Sequence, residues 1–172
     1  MLSAIVVRSH ARLRGDGTTG NITVLAHGTL TPGDQKPGIL HTGNVVLRAH
    51  AQFDVRLGAH HSDQLEVSGN INLGRAILDV SLLNGLHPAA GKTFDIIDDD
   101  GSGPVHGRFA GLAQGATFTV DGVLFSVNYH GHHHDVVLTA LAPPSAPGWQ
   151  PADPASDHLS TAHVHSADLL FA

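Results

Sequence analysis

Four imidazoles stand within the eight residues Asn128-Tyr129-His130-Gly131-His132-His133-His134-Asp135. Imidazole nitrogens and carboxylate oxygens are the usual ligands of Zn, Ni and Cu, which need three or four of them at one point. His130, His132, His133, His134 and Asp135 supply that set if the segment folds back on itself. A solvated turn competes with the metal site, because adjacent ligands converge only where outer groups hold each ring in place. Composition alone allows metal uptake without requiring a cofactor. The runs "VLFSV" before and "VVLTAL" after are β-like, so a pair of strands must position the turn. His60 and His61, in the polar excursion "LGAHHSDQL", would join it if their loop stacks nearby.

Other chemistry is weaker. Asp98-Asp99-Asp100-Gly101 offers carboxylates for calcium but lacks the alternating ligand spacing of a calcium loop, which favours a plain β-turn. Arg14-Gly15-Asp16 spells an integrin-binding tripeptide, for which chance is the better explanation. Ser, His and Asp are plentiful, yet no nucleophile elbow, phosphate loop or helix-borne metal motif singles out a catalytic residue.

The elements that must carry these groups are short strands. The 172 residues suffice for one domain with a core, and 20 Gly and 9 Pro beside abundant Val, Leu, Ile and Ala describe many strands and turns. Lys and Arg total 9 against 15 Asp and Glu, a formal charge of −6 that argues against nucleic acid or an anionic membrane as partner. The 15 His make the sign of the surface pH-dependent. With no Cys, neither a disulfide framework nor a thiolate zinc site is available. The opening "MLSAIVVRSHARLRG" is a poor secretory signal, and its apolar run is far too short to span a bilayer.

One phrase returns three times: "TGNITVLAHGTL", "TGNVVLRAHAQFDV" and "SGNINLGRAILDV", with Gly20, Gly43 and Gly69 spaced by 23 and 26 residues. Repeats of this length with a Gly-Asn turn are the pattern of a parallel β-solenoid, and both turn residues tolerate left-handed backbone. Between them "TPGDQKPGIL" is a loop with two Pro-centred turns. Beyond Leu83, "KTFDII", "VHGRF", "ATFTV", "VLFSVNY" and "DVVLTAL" predict a less regular antiparallel β cap.

The run "ARLRGDGTTGNITVLAHGTLTPGDQKPGIL" resembles the autotransporter-associated β-strand repeats of large bacterial surface and secreted proteins, with their "GNVTV", "GTLSPG" and "PGTL" phrases. The later "DQLEVSGNINLGRAILDVSLLNG", "GKTFDIIDDDG" and "DVVLTAL" look like the closing segment of the same proteins, so the resemblance covers about residues 11–141. It implies a secreted or surface-displayed solenoid, non-enzymatic, used as stalk, adhesin or matrix element, and it supplies no catalytic residue. Such proteins usually place Gly, Asn, Ser, Thr or Asp in turns where this chain has His27, His50, His60, His61, His130, His132, His133 and His134. Their closing turn is commonly "GGDGND", a phrase suggestive of calcium; here only Asp135 of it is kept, which counts against calcium.

The chain thus divides into an all-β solenoid domain with its cap over residues 1–141, a Pro-rich linker over 142–155 and a short helix or disordered tail over 156–172. Alternation predicts inward side chains at Ile22, Val24, Leu30, Val45, Leu47, Phe53, Val55, Leu65, Val67, Ile71, Leu73, Ile77, Leu78, Phe94, Ile96, Phe109, Phe118, Phe125, Val127, Val137 and Leu138. The expected function is a non-enzymatic extracellular or bacterial cell-surface module, adhesive or structural, with a surface glycan or matrix as partner. The β-prone "SAIVVRSHARL" has no Pro or Lys to blunt it and predicts head-to-tail self-association into filaments or oligomers. A His-rich module for transition metals is the alternative. A polysaccharide-active β-helix enzyme comes third, because the acids are scattered over turns.

Overall fold

The computed structural model describes residues 2–143, so most of the Pro-rich linker and all of the 156–172 segment lie outside the described residues. The domain is all-β, its only helical turns among the described residues being 3-10 turns at Leu83–Gly85 and His132–His134. No helix among them is long and apolar enough to cross a membrane.

Three sheets are built in rotation. The chain lays β1 (Ile5–Val7) in the first, β2 (Arg12–Gly15) in the second and β3 (Gly17–Thr18) in the third, then returns to the first. The second round is β4 (Ile22–Val24), β5 (Thr29–Pro32) and β6 (Ile39–Thr42), and the third is β7 (Val45–Leu47), β8 (Gln52–Leu57) and β9 (Gln64–Val67). The fourth is β10 (Ile71–Asn72), β11 (Ile77–Leu82) and β12 (Thr93–Asp99). Each strand pairs in parallel with its counterpart one round later, and the registers Ile5↔Ile22, Ile22↔Val45 and Val45↔Ile71 give advances of 17, 23 and 26 residues.

The in-out alternation read from the sequence sets the core. Ile22, Val24, Leu30, Val45, Leu47, Phe53, Leu65, Val67 and Ile71 are buried, each on the inward face of its strand. Ile77 departs from the expectation. Its register with Gln52 turns it outward, and the neighbouring Leu78, opposite Phe53, points in; two consecutive residues of a strand cannot share a face. Leu78 and Phe118 pack only partly buried against the core.

The Gly-Asn turns also work differently from the expected left-handed corner, since none of Gly20, Gly43, Gly69 or the asparagines after them has positive φ. Asn21 Oδ1 accepts the N–H of Asn44 at 2.8 Å, and Asn44 Oδ1 accepts that of Asn70 at 2.8 Å, so the carboxamides form a ladder from one round to the next. Glycine is required for space: a Cβ on Gly43 would stand 2.4 Å from Asn21 Oδ1, and one on Gly69 2.4 Å from Asn44 Oδ1.

The later segment is antiparallel as expected, but it continues the third sheet through β12. β12 pairs in parallel with β9 on one side and antiparallel with β15 (Val136–Leu141) on the other. β14 (Val123–Asn128) and β13 (Thr117–Val120) continue outward from β15, making the third sheet mixed and seven-stranded. The phrase "VHGRF" forms no strand but lies along the free edge of β10. There Leu73 N–H donates to the His106 carbonyl, His106 N–H to that of Ile71, and Phe109 stacks on Phe53 with ring centroids 5.9 Å apart.

Candidate functional site: two sets of histidines

The first set occupies the tight corner between the first and second sheets. Here the chain turns in four residues, Arg8–Ala11, Leu25–Gly28, Arg48–Ala51 and Leu73–Ala76, each closed by an N–H of the fourth residue donating to the carbonyl of the first. The third position is left-handed every time: His10 (φ 64), His27 (φ 65), His50 (φ 67) and Arg75 (φ 66). Such backbone costs a residue with a Cβ about 1–2 kcal/mol, though His enters it more readily than most. Part of that is offset by stacking. The rings of His10 and His27 are 5.9 Å apart and 8° from parallel, and those of His27 and His50 are 5.9 Å apart at 14°. His10 N–H donates to the His27 carbonyl and His27 N–H to that of His50, fixing the column to the rotation of the chain.

The second set is the terminal turn "NYHGHHHD", held by its residues that are not histidine. Tyr129 is buried, and its hydroxyl accepts the Phe109 N–H at 3.1 Å and donates to the Leu112 carbonyl at 2.8 Å. At the other end buried Asp135 accepts the Asp99 N–H at 3.0 Å. Asn128 Oδ1 accepts the His130 N–H, and Gly131 N–H closes the loop on the Asp135 carbonyl. His130, His132 and His134 are left exposed. His130 and His132 border an open depression of about 490 Å³ with Thr93, Asp95 and Thr139, and His60 lies beyond Thr93 and Asp95 in the adjoining one. Of the five ligands suggested by the sequence, Asp135 is thus committed to the backbone. Among the described residues no three histidine or acidic side chains converge as metal ligands do.

What the turn does adjoin is an acidic strand. Burial first, then the Asp135 carboxylate, raises Asp95 above the ordinary carboxylate range, with His132 pulling it partly back. Asp98 is raised by burial and by Asp135, Asp100, Glu66 and Asp95 together. Burial also raises Asp99, against the Gly101 N–H that donates to it at 2.9 Å. On the outward row of the same sheet His41 Nδ1 meets Glu66 Oε2 at 2.6 Å.

The strongest polar constellation holds a loop. Asp63, fully buried, accepts Arg56 Nε at 2.8 Å and a second guanidinium nitrogen at 3.0 Å. Arg56 also donates to the carbonyls of Asp34 and Lys36, so one guanidinium gathers the "TPGDQKPGIL" loop. Neither this clamp nor the corner column follows from residue type alone. The column had a signal: "SHA", "AHG" and "AHA" recur at one position of successive repeats. The Arg14-Gly15-Asp16 tripeptide lies at the end of β2, where Arg14 pairs with Asp34 at 3.5 Å.

No family model matches the chain, and no curated protein matches it.

Proposed function

We propose that the chain is a three-sided β-solenoid of the autotransporter-associated kind, serving as a non-enzymatic structural module that extends by adding rounds of strands at one end. One observation carries this: β1, β2 and β3 each end one of the three sheets, so among the described residues a whole end of the stack is unpaired edge. At the other end residues 105–110 lie along β10. Ile5 N–H donates to the Asn21 carbonyl and the Val7 carbonyl accepts the Leu25 N–H, so by alternation the Val6 N–H and C=O face the free edge. Val6 and Leu2 are also exposed large apolar side chains there. A second copy pairing on this edge makes a head-to-tail contact, which propagates instead of closing. The extracellular setting belongs to the resemblance and is proposed with it.

Light scattering and negative-stain electron microscopy across a concentration series test the reading. Oligomers or filaments are expected to lengthen with concentration. Val6→Pro, which removes an N–H that serves no internal bond, is expected to abolish them while leaving the thermal melt in place. A mass that stays monomeric at high concentration overturns the self-association.

A further inference from the structure

We infer that the corner carrying His10, His27 and His50 is a binding track for a linear anionic polysaccharide, a carboxylated or sulfated glycan lying along the stack. The track goes beyond the structural role proposed above and does not depend on use of the open edge. The protein carries a net charge of −6, yet its cations are not scattered: four of its nine Lys and Arg residues, Arg8, Arg48, Arg75 and Arg108, stand on this corner. Arg8 and Arg48 open the turns that His10 and His50 occupy, and Arg75 takes the histidine position in the next round. Arg75 N–H donates to the Arg108 carbonyl, so the basic line continues for one more step.

Two further facts point to a ligand. All four guanidiniums are exposed, and none makes an ion pair among the described residues, whereas Arg12, Arg14 and Arg56 each meet an aspartate. The left-handed position itself suits Gly or Asn better than His, so the backbone does not explain three stacked imidazoles. Near-parallel rings 5.9 Å apart also do not turn their nitrogens on one metal ion between them.

The rings repeat every 5.9 Å along the stack, carried on backbones at the spacing of neighbouring strands, about 4.8 Å. A line of donors at that period, one residue wide, matches a single flexible polymer with an anion on successive units, and guanidinium forks match carboxylate or sulfate oxygens. Nucleic acid fits less well. The corner turns offer no Phe, Tyr or Trp side chain to stack on bases.

The test uses the full chain and fluorescence anisotropy at low salt with labelled polygalacturonate, heparin, neutral dextran and oligo-dT. Polygalacturonate, heparin or both are expected to bind, with affinity falling as salt rises, while dextran does not bind and oligo-dT binds more weakly. The two anionic probes separate carboxylate from sulfate preference. Arg48→Ala is expected to lose about tenfold in affinity, the factor for one charge-assisted hydrogen bond. His27→Gly, which suits the left-handed backbone, is expected to weaken binding with an unchanged melt. Lys92→Ala removes the same charge from beside Phe94 of β12, in the third sheet and off the corner between the first two, and is expected to have no effect. No binding of either glycan, tighter binding of oligo-dT, or an equal loss in Lys92→Ala overturns the proposal. Glycan binding that survives in Val6→Pro separates the track from the self-associating edge.

Discussion

The two sets of histidines are built from the same side chain by opposite means. In the corner column a single imidazole per round is placed by the parallel registers of β1, β4 and β7, and three residues far apart in sequence become neighbours at 5.9 Å. In the terminal turn the histidines crowd in sequence, and His130, His132 and His134 stand exposed on a loop whose anchors are Tyr129 and Asp135. Local density of a residue type therefore says little about organisation here. Repetition at a fixed place in the fold says more, because the ladder of backbone hydrogen bonds copies each side chain's position to the next round.

The largest expected effect breaks both regions together. Ile71 is 1% exposed, between Val45 and the segment at His106, so its strand links the column side of the stack to the covered end. Ile71→Asp places an unpaired carboxylate there, which costs several kcal/mol, on the order of the stability of a whole domain. Circular dichroism should show loss of the cooperative transition, with the terminal turn melting together with the corner. A domain that keeps its melt would mean the two regions are independent units.

A cut at one anchor should separate them. Tyr129→Phe keeps the ring that packs against Phe109 but leaves the Phe109 N–H and the Leu112 carbonyl without their shared partner. A loss of about 1–3 kcal/mol is expected, the cost of buried backbone groups left unsatisfied. Histidine C–H resonances should shift for His130, His132 and His134 and stay in place for His10, His27 and His50. Equal shifts in both sets would show that the anchor acts on the whole stack.

Much of this was legible before the structure, and the limits have physical reasons. The strand alternation, the repeat at Gly20, Gly43 and Gly69, and most inward residues were readable because a half-buried strand writes its burial into every second position. The reason for those glycines was not readable. A left-handed turn and a close approach to a neighbour's carboxamide select the same residue, and only the contact of Gly43 with Asn21 Oδ1 distinguishes them. The mixed third sheet escaped because β12 serves a parallel and an antiparallel neighbour with one sequence. Asp63, seven residues from Arg56, reads as one more loop acid, and its complete burial depends on the fold of a distant Pro-Gly loop. In the candidate sites, the sequence drew attention to the turn where histidines crowd, while the ordered array lay where they recur singly.

The smallest expected effect is electrostatic, and it belongs to the acidic strand beside the terminal turn, with no counterpart at the corner column. Asp95, Asp98 and Asp99 all lie above the ordinary carboxylate range in the folded chain, so the folded state holds protons more tightly than the unfolded one. Their contribution to stability is complete below the unfolded carboxylate range, near pH 4. It is lost as pH rises through their raised folded values. At neutral pH they are repelling charges. Asp98→Asn should therefore stabilise the protein at pH 7 by a small amount, up to about 0.5 kcal/mol given its partial exposure. The advantage should shrink as pH falls toward 4 and wild-type Asp98 itself takes up a proton. Thermal melts of wild type and Asp98→Asn from pH 7 to 4 measure this effect. An Asp98→Asn melt below that of the wild type at pH 7, or a gap that widens on acidification, would show that Asp98 is held by attraction and that the acidic strand carries no repulsive cost.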